Sequence, residues 1–522
     1  MKTICSILFA AILGLLGAKG SSAGEPMKAL VPTTIEVPLS LQTAPFDQDR
    51  VLMVPPGFSI SVVARIPAAR FIEPLSTGEI LVAQPATGSI LVIRPQANGM
   101  VGVSNLIDGL SYAQGMALRP SDDRLYLYVG ESKQVSRFNL APRATNAGDK
   151  TVIVPNLPDS SSPELLGSYR HALKNLVIGP DDKLYVDIAS AMNAHAADTT
   201  SNPVRSAIYQ YDLDGANGRI FARGIRNAEG LAFVPGTNEL WAAVNESDDV
   251  RYPFRNSWQG SGSNDYGKRI TSYIDDHPPD EFIHVKEGAN YGWPFADPNP
   301  DTANGLDQMP FAPNYETNPD WSKYPQSVFT RVDKGIQAHS APLGMAFLQD
   351  SQTPEPFREG IAIALHGSWD RSRKTGYKVI FFPWQGEGPG RQIDLVTGWL
   401  DEQSQSYWGR PVDVKPANDG SLLISDDYSG TIYRLAPRPV LNPSAQRLRL
   451  IPPRREALGA PVAIETQFWK ETDSVLAPIG ANCASVSAFL SRSIAASVAD
   501  DPSRPRRQPI RPESADVDCG SR

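Results

Sequence analysis

The sequence predicts an all-β chain: a six-bladed β-propeller with one long insertion loop and a C-terminal tail of little order. Two observations carry the prediction. A phrase made of two short apolar runs around a polar turn occurs six times, and its irregular spacing of roughly 45 to 115 residues leaves room for two more strands per copy. The 41 Gly and 46 Pro of the 522 residues also suit a turn-rich β chain.

The copies read ARFIEPLSTGEILVA from Ala69, AQGMALRPSDDRLYLYV from Ala113, ALKNLVIGPDDKLYVDI from Ala172 and AEGLAFVPGTNELWAAV from Ala228. PLGMAFLQDSQTPEPFREGIAIAL from Pro342 and RPVDVKPANDGSLLISD from Arg410 complete the set. Each is a hairpin signal, β-formers on both sides of a turn rich in Pro, Gly, Asp or Asn. Six hairpins in one chain are the start of six blades.

If each copy supplies a blade's innermost strand, the residues leading into those strands share one face around the central channel. They are Arg70, Gln114, His171, Arg226 with Asn227, His339 and Arg410. A pocket lined by three arginines, two histidines and two amides fits an anionic ligand, because guanidinium groups offer bidentate geometry to carboxylate or phosphate. With 41% hydrophobic and 20% charged residues the chain has ordinary globular composition, and its net charge of -8 argues against nucleic acid as the main partner. A basic pocket in an acidic protein points to a small anion held inside.

The ends read differently. Lys2 and the apolar run Ile4 to Leu16, followed by small residues to Ala23, form a secretory signal pattern, which predicts a signal peptide over 1–23 and export to the periplasm. Residues 24–53 lead into a propeller domain predicted over 54–437, and 438–522, rich in Pro, Arg, Ser and Ala, form the tail. Export would leave Cys483 and Cys519, both in that tail. The stretch from Asp249 to Val328 reads as one long insertion, a lid or binding wall.

Several phrases resemble the glucose/sorbosone dehydrogenase family: RHALKNLVIGPDDKLYV, GIRNAEGLAF, PPDEFIHVKEGANYGWP, HSAPLGMAF, HGSWDRSRKTGYKV and GRPVDVKPANDGSLLISDDYSGTIYRL. The resemblance runs from about Val54 to Arg434 and implies a six-bladed propeller that carries pyrroloquinoline quinone (PQQ) with calcium (Ca2+). The HGSWDR phrase leans toward the sorbosone branch. The implied function is oxidation of a sugar or sugar-derived aldehyde, best matched by L-sorbosone going to 2-keto-L-gulonate. An electron acceptor of the respiratory chain would be the redox partner, and peripheral attachment to the inner membrane is left open.

Carried over residue by residue, the resemblance makes His171 the catalytic base and Gln114 a substrate-side amide, with Arg226 and Asn227 touching the quinone. His339, Arg371 and Arg410 fall at further cofactor contacts, and Glu246, Ser247 and Asp280 fall at the calcium site, with Asp248 and Asp249 close by as oxygen donors. Three departures stand out. Arg170 replaces the aspartate that orients the base, Val412 replaces one of two paired arginines, and Glu246-Ser247 replaces a Gly-Pro pair.

Two rival readings use the same fold or the same reaction. A propeller lactonase would hold calcium on axial carboxylates and amides, whereas the lead-in residues here are mainly Arg and His. The same oxidation with NAD(P) as acceptor lacks a sequence basis, because GSGSNDYG from Gly260 has neither the GxGxxG spacing nor the flanking strand and helix.

Overall fold

The structure, a computed structural model, describes residues 28–97, 100–121, 124–386 and 388–438. The expected signal segment and, beyond Arg438, the tail with Cys483 and Cys519 lie outside the described residues. Each repeated phrase folds into the first two strands of an antiparallel blade, and six such blades are present.

Blade one consists of Ile72–Pro74, Ile80–Gln84, Ser89–Pro95 and Val101–Ile107; blade two of Met116–Ser121, Arg124–Glu131, Gln134–Asn139 and Gly148–Val154. Leu176–Ile178, Lys183–Ile188, Ala207–Asp212 and Arg219–Arg223 make blade three. Blade four is Ala228–Phe233, Leu240–Val244, Asp280–Val285 and Val332–Ile336, with Asp307–Met309 added at its edge. Blade five is Pro342–Phe347, Gly360–Leu365, Lys378–Gln385 and Ile393–Val396. Blade six takes Pro411–Pro416, Leu422–Asp426 and Thr431–Pro437 from the end of the domain and its outer strand, Phe58–Arg65, from the beginning.

That exchange closes the ring. Phe58–Arg65 pairs antiparallel with Thr431–Pro437, from Phe58 opposite Pro437 to Arg65 opposite Thr431, with one register shift. Its sequence FSISVVAR buries alternate residues, so Phe58, Ile60, Val62 and Ala64 enter the core while the others face outward. The pairing covers the edge of Thr431–Pro437 and leaves Phe58–Arg65 as the outer strand of the blade. The six inner strands then abut in a ring, each touching the next and the last touching the first.

Crowding at the axis explains a detail of the repeated phrase. Glycine occupies the same place in AQGMAL, AEGLAF and PLGMAF. A Cβ on Gly115 would come within 2.8 Å of Asn175 Cα in blade three, and one on Gly230 within 2.4 Å of the Leu343 carbonyl in blade five. Neighbouring inner strands approach too closely for any side chain there.

One expectation is corrected. The stretch from Asp249 to Val328 is not a single insertion, because its middle contributes the third strand of blade four, Asp280–Val285, paired on both sides with Leu240–Val244 and Val332–Ile336. The excursion is two segments, 249–279 and 286–331. DEFIHV was hidden by the Pro- and Asp-rich residues around it. Within the second segment, Tyr291 and Trp293 of the NYGWP turn are about 1% exposed, so the turn is a packed corner.

Because ring closure depends on the apolar face of Phe58–Arg65, Ile60→Ala should cost about 2–5 kcal/mol, the usual range for deleting a fully buried aliphatic side chain. Denaturant unfolding of the two proteins measures the difference.

Candidate functional site

Strand polarity places the lead-in residues together. Every blade begins at the axis and runs its strands alternately down and up, so the segments before the six inner strands and the turns between second and third strands open on one end of the propeller. Arg70, Gln114, His171, Arg226, Asn227, His339 and Arg410 all precede inner strands and are therefore at that end.

A buried polar network joins them across blades. Arg70 donates from Nε to Gln114 Oε1 at 2.7 Å and from Nη1 to Asp427 Oδ2 at 2.7 Å. Gln114 in turn donates to Glu229 Oε2 at 2.8 Å and to Asn175 Oδ1 at 3.1 Å. Glu229 also accepts from Asn175 at 2.8 Å and from Asn227 at 3.3 Å. On its other side Asp427 meets His366 Nε2 at 2.8 Å. Burial works against its ionisation, but His366 and Arg70 hold the Asp427 carboxyl well below the usual carboxylate range.

His171 is half-buried, and its Nδ1 lies 2.9 Å from the Ser190 carbonyl and 2.8 Å from Ser190 Oγ. Donation from Nδ1 to that carbonyl leaves Nε2 as the lone-pair nitrogen. Ser190 thus supplies the orientation that Arg170 cannot. Burial first, and then the Arg226 guanidinium, push the imidazole down to about 3, so His171 is neutral.

Arg226 is held from two sides, by Asn193 (Oδ1 at 2.9 Å) and by Asp248 (Oδ2 at 3.3 Å). Arg410 differs. Its Nε donates to the His366 carbonyl at 3.0 Å and its Nη2 to the Gly367 carbonyl at 3.3 Å, with the Tyr377 and Tyr407 rings beneath it. No carboxylate among the described residues pairs with it. The expected arginine ring is therefore unequal: Arg70 and Arg226 form ion pairs with Asp427 and Asp248, whereas Arg410 makes none and acts on Asp427 only through space.

The side chains of the expected metal ligands are engaged within the protein. Asp280 spends one carboxylate oxygen on the Glu246 amide (3.0 Å) and the other on the Ala341 amide (3.0 Å), so it clamps two backbones. Ser247 Oγ points to the Asn193 carbonyl at 3.4 Å, and Glu246 accepts from the Ser247 amide at 3.2 Å. A different set brings metal-ligating atoms together: Asp248, His339 and Asp370 each offer one within 4.8 Å of the others. His339 Nε2 is tied to the Ile274 carbonyl at 2.8 Å, which turns Nδ1 toward Asp248 Oδ1 at 3.4 Å. Although burial opposes it, contact with Asp248 raises the His339 imidazole above its ordinary value. Arg371 reaches from the same rim to the Ala338 carbonyl at 3.4 Å.

Sequence reading missed Ser190, Asn193, Glu229, His366 and Asp427. Asn193 and Ser190 sit in a turn about twenty residues after His171 with no motif to mark them. His366 and Asp427 had a usable signal, since each directly follows the second strand of its blade, the other place where this fold opens on the pocket.

A family profile described as TrAA12-like matches residues 52–438, the extent of the propeller. An uncharacterized protein of Borreliella burgdorferi is 25% identical over 411 residues, 77% of this chain and 95% of that protein. A pyrroloquinoline quinone-dependent pyranose dehydrogenase of Coprinopsis cinerea is 31% identical over 116 residues, which are 19% of this chain and only 15% of that enzyme. Among solved structures, the holo form of the Coprinopsis cinerea pyranose dehydrogenase PQQ domain superposes with a TM-score of 0.60 at 19% identity, covering 74% of this chain and 96% of that one. A calcium structure of a Trichoderma reesei protein of Carbohydrate-Active Enzymes Family AA12 gives 0.60 at 19% identity, over 74% of this chain and 97% of that one. At that identity the likeness is one of fold.

The depressed His171 imidazole has a consequence for stability. The folded chain keeps it neutral down to about 3, whereas the unfolded chain protonates it below its ordinary value of 6.5. Between those values the unfolded state binds more protons, so stability falls as pH falls through the window. His171→Gln should lessen that fall, read as a smaller difference between denaturant midpoints at pH 7.5 and pH 4, values chosen on either side of roughly 6.5.

Proposed function

The chain belongs to the TrAA12-like family, and on that premise we propose that it is a dehydrogenase using pyrroloquinoline quinone to oxidise a sugar or sugar-derived aldehyde. L-sorbosone is the substrate suggested by the HGSWDR phrase. The observation that carries the reading is the presence, on one rim, of a guanidinium that makes no ion pair, Arg410, and a neutral, Ser190-oriented His171.

The donor set fits the group. Arg410, which makes no ion pair, would bind one of the quinone's carboxylates through the donors that its two carbonyl bonds leave, and Arg226, 2% exposed, would stabilise a developing negative charge. Asp248, His339 and Asp370 are the residues that would hold a calcium ion. Bound quinone would supply the hydride acceptor, which no side chain can provide. His171 Nε2 would receive the substrate hydroxyl proton while its Nδ1 stays fixed by Ser190. A base near 3 is weak at neutral pH; burial contributes most to that depression, and a polyanion beside Arg226 and Arg170 would offset the cationic share of it and so raise it. Gln114, locked between Arg70 and Glu229, would present a fixed amide to the sugar.

Export to the periplasm remains part of the proposal, supported by the apolar run from Ile4 to Leu16. The electron acceptor would then be a component of the respiratory chain. The lactonase reading gains one observation, the Glu229 carboxylate ringed by Gln114, Asn175 and Asn227. Amide nitrogens, not oxygens, face that carboxylate, and Arg70 lies against Gln114, an arrangement suited to an anion's neighbour rather than a cation's.

The protein should be inactive with NAD alone and gain sugar-oxidising activity on addition of quinone and calcium, followed with an artificial electron acceptor. His171→Gln should keep quinone binding and lower kcat by about two to four orders of magnitude, the usual contribution of a positioned general base. Arg410→Ala should weaken quinone binding in an absorption titration. Normal turnover by the His171 variant would remove it from the mechanism.

A further inference from the structure

Asn193 stands in the turn that follows the second strand of blade three, and its side chain reaches the chain just beyond the second strand of blade four. Oδ1 accepts from the Asp248 amide at 2.8 Å while Nδ2 donates to the Asp248 carbonyl at 2.6 Å, so the side chain pairs with both backbone polar groups of one residue. Only the nitrogen of an amide can donate, which fixes the way the group points. The other lone pair of Oδ1 takes Arg226 Nη2 at 2.9 Å, and the Asn193 carbonyl accepts from Arg226 Nε at 3.3 Å and from Trp293 Nε1 at 3.2 Å.

The turn that carries Asn193 is itself pinned. The Ala191 amide donates to Asp198 Oδ2 at 2.7 Å, and Arg205 Nε donates to Asp198 Oδ1 at 2.6 Å, with Asp198 and Arg205 both buried. The Ser190 amide donates to the Arg226 carbonyl at 2.8 Å, so one turn anchors His171 through Ser190 and Arg226 through Ser190 and Asn193. Arg226 Nη1 reaches the Asn245 carbonyl at 3.2 Å, which leaves one Nη1 hydrogen for a ligand.

The two guanidinium–carboxylate pairs of the pocket differ in closeness. Arg70 and Asp427 meet at 2.7 Å, whereas Arg226 and Asp248 stay 3.3 Å apart. At the looser pair, Arg226 Nη2 and the Asp248 amide bond to the same oxygen, Asn193 Oδ1, which sets their spacing. Asp248 keeps its Oδ1 toward His339 at 3.4 Å, in the set completed by Asp370. We infer that Asn193 is a positioning residue of this site, holding Arg226 and Asp248 apart so that the guanidinium stays available to an anion and the carboxylate to a cation. Without the amide the two opposite charges close into a tight pair, and each loses reach toward a ligand. The inference rests on the quinone and calcium reading above and concerns only how the chain arranges its own groups toward them.

The test compares full-length wild type with Asn193→Ala and Asn193→Asp. Quinone-free protein is titrated with calcium by calorimetry, then with quinone at saturating calcium by absorption, and Tm is measured for each protein. In Asn193→Ala both dissociation constants should rise by about tenfold or more, the equivalent of one lost hydrogen bond to a charged group. Asn193→Asp keeps the size of the side chain but sets a carboxylate oxygen against the Asp248 carbonyl and draws Arg226 to itself, so both affinities should fall there too. A merely structural role would lower Tm alone, and an unchanged affinity for either ligand in a folded variant overturns the inference while leaving the proposed function in place. A wild type that fails to bind calcium or quinone overturns the two together. Should Asn193→Ala not fold, Asn193→Asp decides by the same criteria.

Discussion

Everything at the axial pocket depends on the antiparallel pairing of Phe58–Arg65 with Thr431–Pro437. Blade six is built from both ends of the domain, and only when that pairing forms do six inner strands surround one axis. The network that follows is distributed accordingly. Arg70 stands before blade one, Gln114 before blade two, Asn175 before blade three, Asn227 before blade four, and His366 and Asp427 follow the second strands of blades five and six. A chain of hydrogen bonds from His366 to Asn227 thus crosses every blade. Such a network spans five of the six blade interfaces, all but that between blades four and five, and opening any of the five would leave buried polar groups unpaired.

Charge at the pocket is arranged rather than merely accumulated. Counting arginines suggested a strongly cationic cup, but Asp427 and Asp248 each meet one guanidinium. Their pairing spares the empty pocket the desolvation of several bare cations. What remains for a ligand is selective: Arg410, its guanidinium bonded to carbonyls and stacked on tyrosines, and a His171 that burial and then cations keep neutral. On the proposed reading, an anion bound there would satisfy the first and offset the cationic share of what depresses the second.

Much of the architecture was legible because it is local. The hairpin phrases, their turn residues and the glycines of AQGMAL, AEGLAF and PLGMAF encode strand pairs and the tight inner ring within a few residues. The lead-in positions were legible by extension, since a residue before an inner strand has nowhere to go but the axial end. The blade strand DEFIHV was misread as part of an insertion, because its pairing partners Leu240–Val244 and Val332–Ile336 lie some forty residues away on either side.

The sequence by itself determined the fold class, the number of blades and the end of the propeller on which the lead-in residues gather, all consequences of short-range periodicity and turn chemistry. Tertiary structure decided which groups compensate one another: Ser190 behind His171, Asp427 between Arg70 and His366, and Asp248 beside Arg226 and His339. These pairings depend on distances of a few ångströms between residues up to 357 positions apart. A linear pattern carries no record of such distances, because they exist only once the ring is closed.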